Sequence, residues 1–149
     1  MRIARLVATA VLAMSALVPG LAAAQDSREY LCVADGATGF TFSDDEWRPT
    51  NFTVDTSRYI VGPSSLGYAY GVRRADADVD RYVCERPFSE VGNLFCESTA
   101  YGQFVMNSQN GRFVLSQLTG YWTVLPSSVV QRDEESDSLV VEMGVCSPL

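Results

Sequence analysis

From Gln25 to the C-terminus, apolar residues recur at every second position in short runs, and Gly, Pro, Asn and Asp break those runs at intervals too short for helices. The sharpest signal is Gly102–Leu118, GQFVMNSQNGRFVLSQL, where Asn110-Gly111 sits between alternating segments and predicts a two-residue type I′ hairpin. Counting outward from that turn pairs Gln109 with Arg112, Ser108 with Phe113, Met106 with Leu115 and Phe104 with Gln117. Phe104, Met106, Phe113 and Leu115 then share one face. A lone hairpin is marginal in water, so that face needs further strands to cover it.

Those strands are expected at Glu29–Ala34, Asn51–Val54, Arg58–Val61, Tyr68–Arg73, Val79–Glu85, Leu94–Ser98, Gly120–Leu125 and Ser138–Cys146. A short aromatic stretch, Phe40-Thr41-Phe42, precedes a loop at Ser43–Pro49 that carries Asp44, Asp45, Glu46 and Trp47, and a charged loop is expected at Arg132–Asp137. In Tyr68–Arg73 the small Ala69 and Gly71 alternate with Tyr68, Tyr70 and Val72, which points to close backbone approach on the small side. The pattern predicts an all-β fold, a small antiparallel β-barrel of about 8–9 short strands, with a sandwich as the alternative.

The first 24 residues read differently. Arg2 and Arg5 precede an apolar run from Leu6 to Val18, Pro19-Gly20 end it, and Ala22-Ala23-Ala24 offers a cleavage site, so residues 1–24 are expected to be a signal peptide and residues 25–149 a single β-domain. The run is shorter than the roughly 18–20 residues that cross a bilayer, and no Cys follows the cleavage site directly, which argues against a retained span or lipid anchor. Two of the 11 cations leave with the leader and all 18 acids stay, so the mature net charge is −9. That balance disfavours nucleic acid and anionic membrane surfaces and favours a basic partner.

Export to the periplasm or beyond makes the four cysteines a disulfide frame. Of the three connectivities, Cys84–Cys96 across the turn-rich Pro87–Leu94 connection and Cys32–Cys146 between the first and last mature strands are favoured, and the second suits a barrel that closes on itself. Zinc is disfavoured because the spacings contain no C-x-x-C pair. Cys32-x-Ala34-x-x-Ala37-x-Gly39-Phe40, Trp47 followed by Phe52, Arg112-Phe113, Gly120-Tyr121 and the ending Met143-Gly144-x-Cys146-Ser147-Pro148 resemble a family of small exported bacterial proteins without assigned function. More loosely, Tyr30-x-Cys32 opening a small disulfide-tied barrel resembles the periplasmic lysozyme-inhibitor proteins; the chain lacks their Ser/Lys inhibitory loop and has no Lys.

Catalysis is narrowed by what is missing. With no His and no Lys, the chain cannot assemble a Ser-His-Asp triad, a Cys-His pair, a Ser-Lys dyad or a Schiff base. Only paired carboxylates remain, and the acids show no recognisable spacing. Asp76-x-Asp78-x-Asp80 fails as an EF-hand, because Arg81 and Pro87 stand where Gly and Glu are required, which leaves these three acids as weak calcium candidates. Asn51-Phe52-Thr53 matches a glycosylation sequon but falls in an expected strand.

Aromatic residues are the richest remaining signal. Trp47, Tyr68, Tyr70 and Trp122, with Arg112 as a polar contact, are the candidates for a barrel mouth or an exposed ligand patch. The reading that follows is an exported, non-catalytic β-domain without a cofactor that binds a partner, first a protein such as a basic hydrolase. A lipocalin-like carrier of an apolar small molecule and a two-carboxylate hydrolase are the alternatives. N-terminal sequencing of the exported product is expected to begin Gln25-Asp26-Ser27; a product that retains Met1 would contradict the leader assignment.

Overall fold

A computed structural model describes residues 28–98, 100, 102–118, 120–121 and 138–149. Its organising element is the 14-residue strand β1 (Tyr30–Ser43). The others are β2 (Glu46–Phe52), β3 (Arg58–Gly62), β4 (Tyr70–Arg74), β5 (Tyr82–Cys84), β6 (Asn93–Ser98), β7 (Gly102–Asn107), β8 (Arg112–Gln117) and β9 (Ser138–Pro148). All neighbouring pairs are antiparallel, in the order β2-β1-β3-β4-β5-β6-β7-β8-β9. Pairing of β9 with β1 closes eight strands into a barrel, so the sandwich alternative is set aside.

One edge of β1 serves two partners. Tyr30–Val33 pair with β3 inside the barrel, whereas Ala37–Ser43 pair with β2, which lies outside the closed ring. The handover falls at a bulge between Ala34 and Gly36, where the Ala34 amide donates to the Ser57 carbonyl at 3.1 Å instead. On its other edge β1 runs beside β9 from Thr41–Ser138 to Tyr30–Pro148. β2, the upper half of β1 and the Ser138–Leu139 end of β9, beyond the last β8 pair at Gln117–Val140, therefore form an extension above the barrel.

Two turns depart from expectation. Ser43–Pro49 is not a loop: Asp44 (φ 52°) and Asp45 (φ 61°) make a type I′ turn, and Trp47 sits on β2 opposite Phe42. Asp is among the residues that tolerate left-handed φ, so this tight turn forms without Gly. At the opening hairpin the partners are Asn107–Arg112, Met106–Phe113 and Phe104–Leu115, two residues away from the expected register. Asn107 causes the shift: its Oδ1 accepts from the Gln109 and Asn110 amides at 2.9 and 3.1 Å, its carbonyl accepts from the Gly111 amide, and only Gly111 takes positive φ (66°). A shift of two preserves parity, so Phe104, Met106, Phe113 and Leu115 still share the interior face.

That interior is filled. Val61, Val72, Leu94 and Phe104 are fully buried, a ring contact crosses the barrel from Tyr59 to Phe113 (6.0 Å), and Phe113 stacks on Phe104 of the neighbouring strand (5.3 Å). Tyr70 packs edge-on against Phe88 at 5.0 Å. The expected close approach at Gly71 is occupied by Asp80, whose carboxylate fills the space a Cβ would need. Asp80 Oδ2 in turn accepts from Ser64 Oγ (2.8 Å) and the Ser65 amide (3.1 Å), pinning the β3–β4 connection.

Both expected disulfides are present, Cys32–Cys146 between in-register residues of β1 and β9, and Cys84–Cys96 between β5 and β6. The leader, residues 122–125 of the strand expected at Gly120–Leu125 and the charged loop at Arg132–Asp137 lie outside the described residues. Removing the two bridges is expected to be unequal. The closed loops span 114 and 12 residues, so Cys32→Ala/Cys146→Ala should lower stability by about 5 kcal/mol and Cys84→Ala/Cys96→Ala by about 3 kcal/mol. Urea unfolding of both double variants checks the order, and a reversed order contradicts it.

Candidate binding surface

A small closed barrel needs only one apolar face, yet several strands are apolar at consecutive positions: Leu94-Phe95 on β6, Phe104-Val105-Met106 on β7, Phe113-Val114-Leu115 on β8. Alternate residues must then point outward. Register places them side by side, since Phe95 opposes Val105, Val105 opposes Val114 and Val114 opposes Met143. The row runs across four strands, with Phe95 62%, Val114 47% and Met143 52% exposed. A second row joins Val145 of β9 to Val33 of β1, with Arg112 and Arg58 as the next residues on either side. Side by side on neighbouring strands, these residues form a contiguous exposed apolar surface.

The surface continues onto the extension. Leu139, Phe40 and Pro49 are in register across β9, β1 and β2, and Phe42 stands opposite Trp47. The Phe42 and Trp47 rings are 5.3 Å apart, and the Tyr121 ring lies 5.4 Å from Trp47. Around the barrel in the other direction, Phe95 forms part of an open groove of about 1130 Å³, walled also by Leu66, Tyr68, Val83 and Leu118.

The candidate residues from the sequence divide accordingly. Trp47 belongs to the aromatic cluster of the extension and Tyr68 to the wall of the groove. Tyr70 is corrected: at 1% exposure it is core, and it lines no accessible patch. Arg112 is exposed on β8 opposite Asn107 rather than Gln109. Trp122 lies outside the described residues. Asp76, Asp78 and Asp80 do not converge, for Asp76 is held by Arg74 (3.0 Å) and Asp80 by Ser64 and Ser65, and no group of three potential metal ligands exists among the described residues. Sequence reasoning missed Phe95, Val114 and Met143. The available signal was the run of consecutive apolar residues in strands where one buried face predicts alternation.

A polar cluster occupies part of the interior face where β3 and β4 meet β9. Tyr59 Oη donates to Glu142 Oε2 at 2.7 Å, and Ser57 Oγ lies 3.5 Å from Oε1. Burial, followed by the hydrogen bond to and charge of Glu142, pushes the Tyr59 phenol well above the usual tyrosine range. Arg74, paired across the ladder with Tyr59, donates to both Asp76 oxygens at 3.0 and 3.3 Å; the guanidinium holds the Asp76 carboxyl below the usual carboxylate range, and Asp76 raises Arg74 in return. These groups satisfy one another.

No protein-family profile, curated protein or solved structure matches the chain. Fold and surface define a disulfide-tied β-barrel with a filled interior and an apolar exterior stripe. Tyr59 supplies a test of the interior geometry. Its phenol keeps its proton in the folded state while the unfolded chain ionises near pH 10, so stability is full below that pH and falls as pH rises above it. In an alkaline absorbance titration Tyr59 is expected to ionise only on unfolding, so Tyr59→Phe should reduce the late-ionising amplitude by one tyrosine; an unchanged late amplitude in the variant would contradict the Tyr59–Glu142 contact.

Proposed function

We propose that this protein is an exported, non-catalytic domain that binds a protein partner across the outside of its barrel. The observation that carries the reading is the outward row Phe95–Val105–Val114–Met143, which spends apolar side chains where the fold does not need them. Two disulfides suit an oxidising compartment, and with the expected leader they support the periplasm or the cell exterior. Among the described residues no helix is long and apolar enough to cross a membrane. Absence of His and Lys from the sequence supports recognition over reaction. A carrier would hold its ligand in the barrel, where aromatic rings at 5–6 Å spacing now sit, so the outside is the better supported place to look.

The net charge favours a basic partner, and a basic hydrolase remains the first class to try, in keeping with the looser resemblance to periplasmic inhibitors. The test is cross-linking of tagged protein in periplasmic extract, wild type against Val114→Glu/Met143→Glu. Both sites are exposed, so the pair should change stability by no more than about 1 kcal/mol while lowering partner affinity at least about tenfold. Equal capture by the variant would show that this face is not the binding site.

A further inference from the structure

The open groove is concave where the rest of the barrel exterior bulges. Leu66 and Tyr68 of the β3–β4 connection and Arg86 and Pro87 of the β5–β6 connection contribute to its walls, and outward-facing residues of β6, β7 and β8 form its floor. Two rows cross that floor. Glu97, Gln103 and Ser116 are in register on three neighbouring strands, and two residues further along β6, Phe95 is in register with Val105 and Val114. Strand geometry sets the rows about 7 Å apart and neighbours within a row about 5 Å apart. The side chains of Glu97, Gln103 and Ser116 make no hydrogen bond or ion pair among the described residues. Phe95 and Tyr68 both leave ring surface exposed.

We propose that this groove binds a neutral oligosaccharide, with sugar ring faces on Phe95 and Tyr68 and hydroxyl edges along Glu97, Gln103 and Ser116. The inference goes beyond the protein-binding reading and does not depend on it. Hydrogen-bonding capacity selects the occupant. An ionised carboxylate such as Glu97 only accepts, whereas the Gln103 amide and the Ser116 hydroxyl both donate and accept, so a ligand must bring donors and acceptors together. A proline-rich segment, the other common occupant of an aromatic-walled groove, brings carbonyls and no N–H at its prolines. An apolar carrier ligand brings neither. Sugar hydroxyls do both, and a pyranose sets a C–H face beside a hydroxyl edge, which matches a ring row lying beside a polar row. The negative face of an aromatic ring attracts such polarised C–H groups. At the wall Glu85 and Arg86 carry opposite charges, which gives that side no preference for an ionic ligand.

The experiment titrates isotope-labelled exported chain with cellotetraose, maltotetraose and an N-acetylglucosamine tetramer, each up to about 10 mM, and follows amide resonances. At least one tetramer is expected to bind, to move the amides of Phe95, Glu97 and Gln103 most, and to bind equally at about 50 mM and about 500 mM salt. Glu97→Ala/Gln103→Ala and, separately, Tyr68→Ala should each weaken that tetramer at least about tenfold. All three positions are exposed, so both variants are expected to keep the wild-type spectrum elsewhere. Val114→Glu/Met143→Glu, which lies outside the groove, should leave sugar binding unchanged. Silence with all three tetramers, shifts centred away from the groove, unweakened binding by the variants, loss at high salt, or equal binding of decaproline or of a neutral Ser/Ala peptide would each overturn the proposal.

Discussion

Closure of the barrel depends on β1 lying beside β9 along nearly its full length. The two strands are far apart in sequence, so their pairing carries a large loop-closure cost that local turns cannot offset. Cys32–Cys146 removes much of that cost from the folding equilibrium, and it does so between residues that are in register on the ladder. The short β5, three residues long and paired to β6 at Val83–Glu97, receives the same treatment from Cys84–Cys96. Covalent bonds stand where the hydrogen-bonded ladder is longest in sequence span and where it is thinnest.

With closure secured, the interior becomes a container whose volume is taken up by Tyr59, Tyr70, Tyr82, Phe104 and Phe113. Filling it with rings gives a small domain a large buried area from few residues. The exterior carries further aromatic and charged side chains. Cations, acids and aromatics are sorted there by register: Arg112 and Arg58 flank the valine row, the acids cap the hairpin tip, and the aromatic cluster lies between tip and barrel.

Much of the architecture was legible because period-two patterning, an even cysteine count and turn residues are local signals. Strand existence, disulfide pairing and the interior face of the β7–β8 hairpin all came from them. What was not legible depended on which backbone groups a side chain caps. Asn107 replaces a two-residue turn by a longer one, and Asp44-Asp45 makes a tight turn without glycine, so the expected and observed type I′ turns exchange places. Tyr68 and Tyr70 illustrate the limit for the site: they share parity, but the strand begins only at Tyr70, which puts one ring at the surface and the other in the core. Parity assigns a face only to residues already within a strand.

The bulge at Ala34–Gly36 has a dynamic consequence. Below it β1 is paired with β3 and β9 and cross-linked to β9, whereas above it the strand is paired with β2 and β9 and has no cross-link. The molecule thus has a covalently belted ring and one outermost strand without a cross-link, and amide exchange is expected to be faster in β2 than in the strands of the ring.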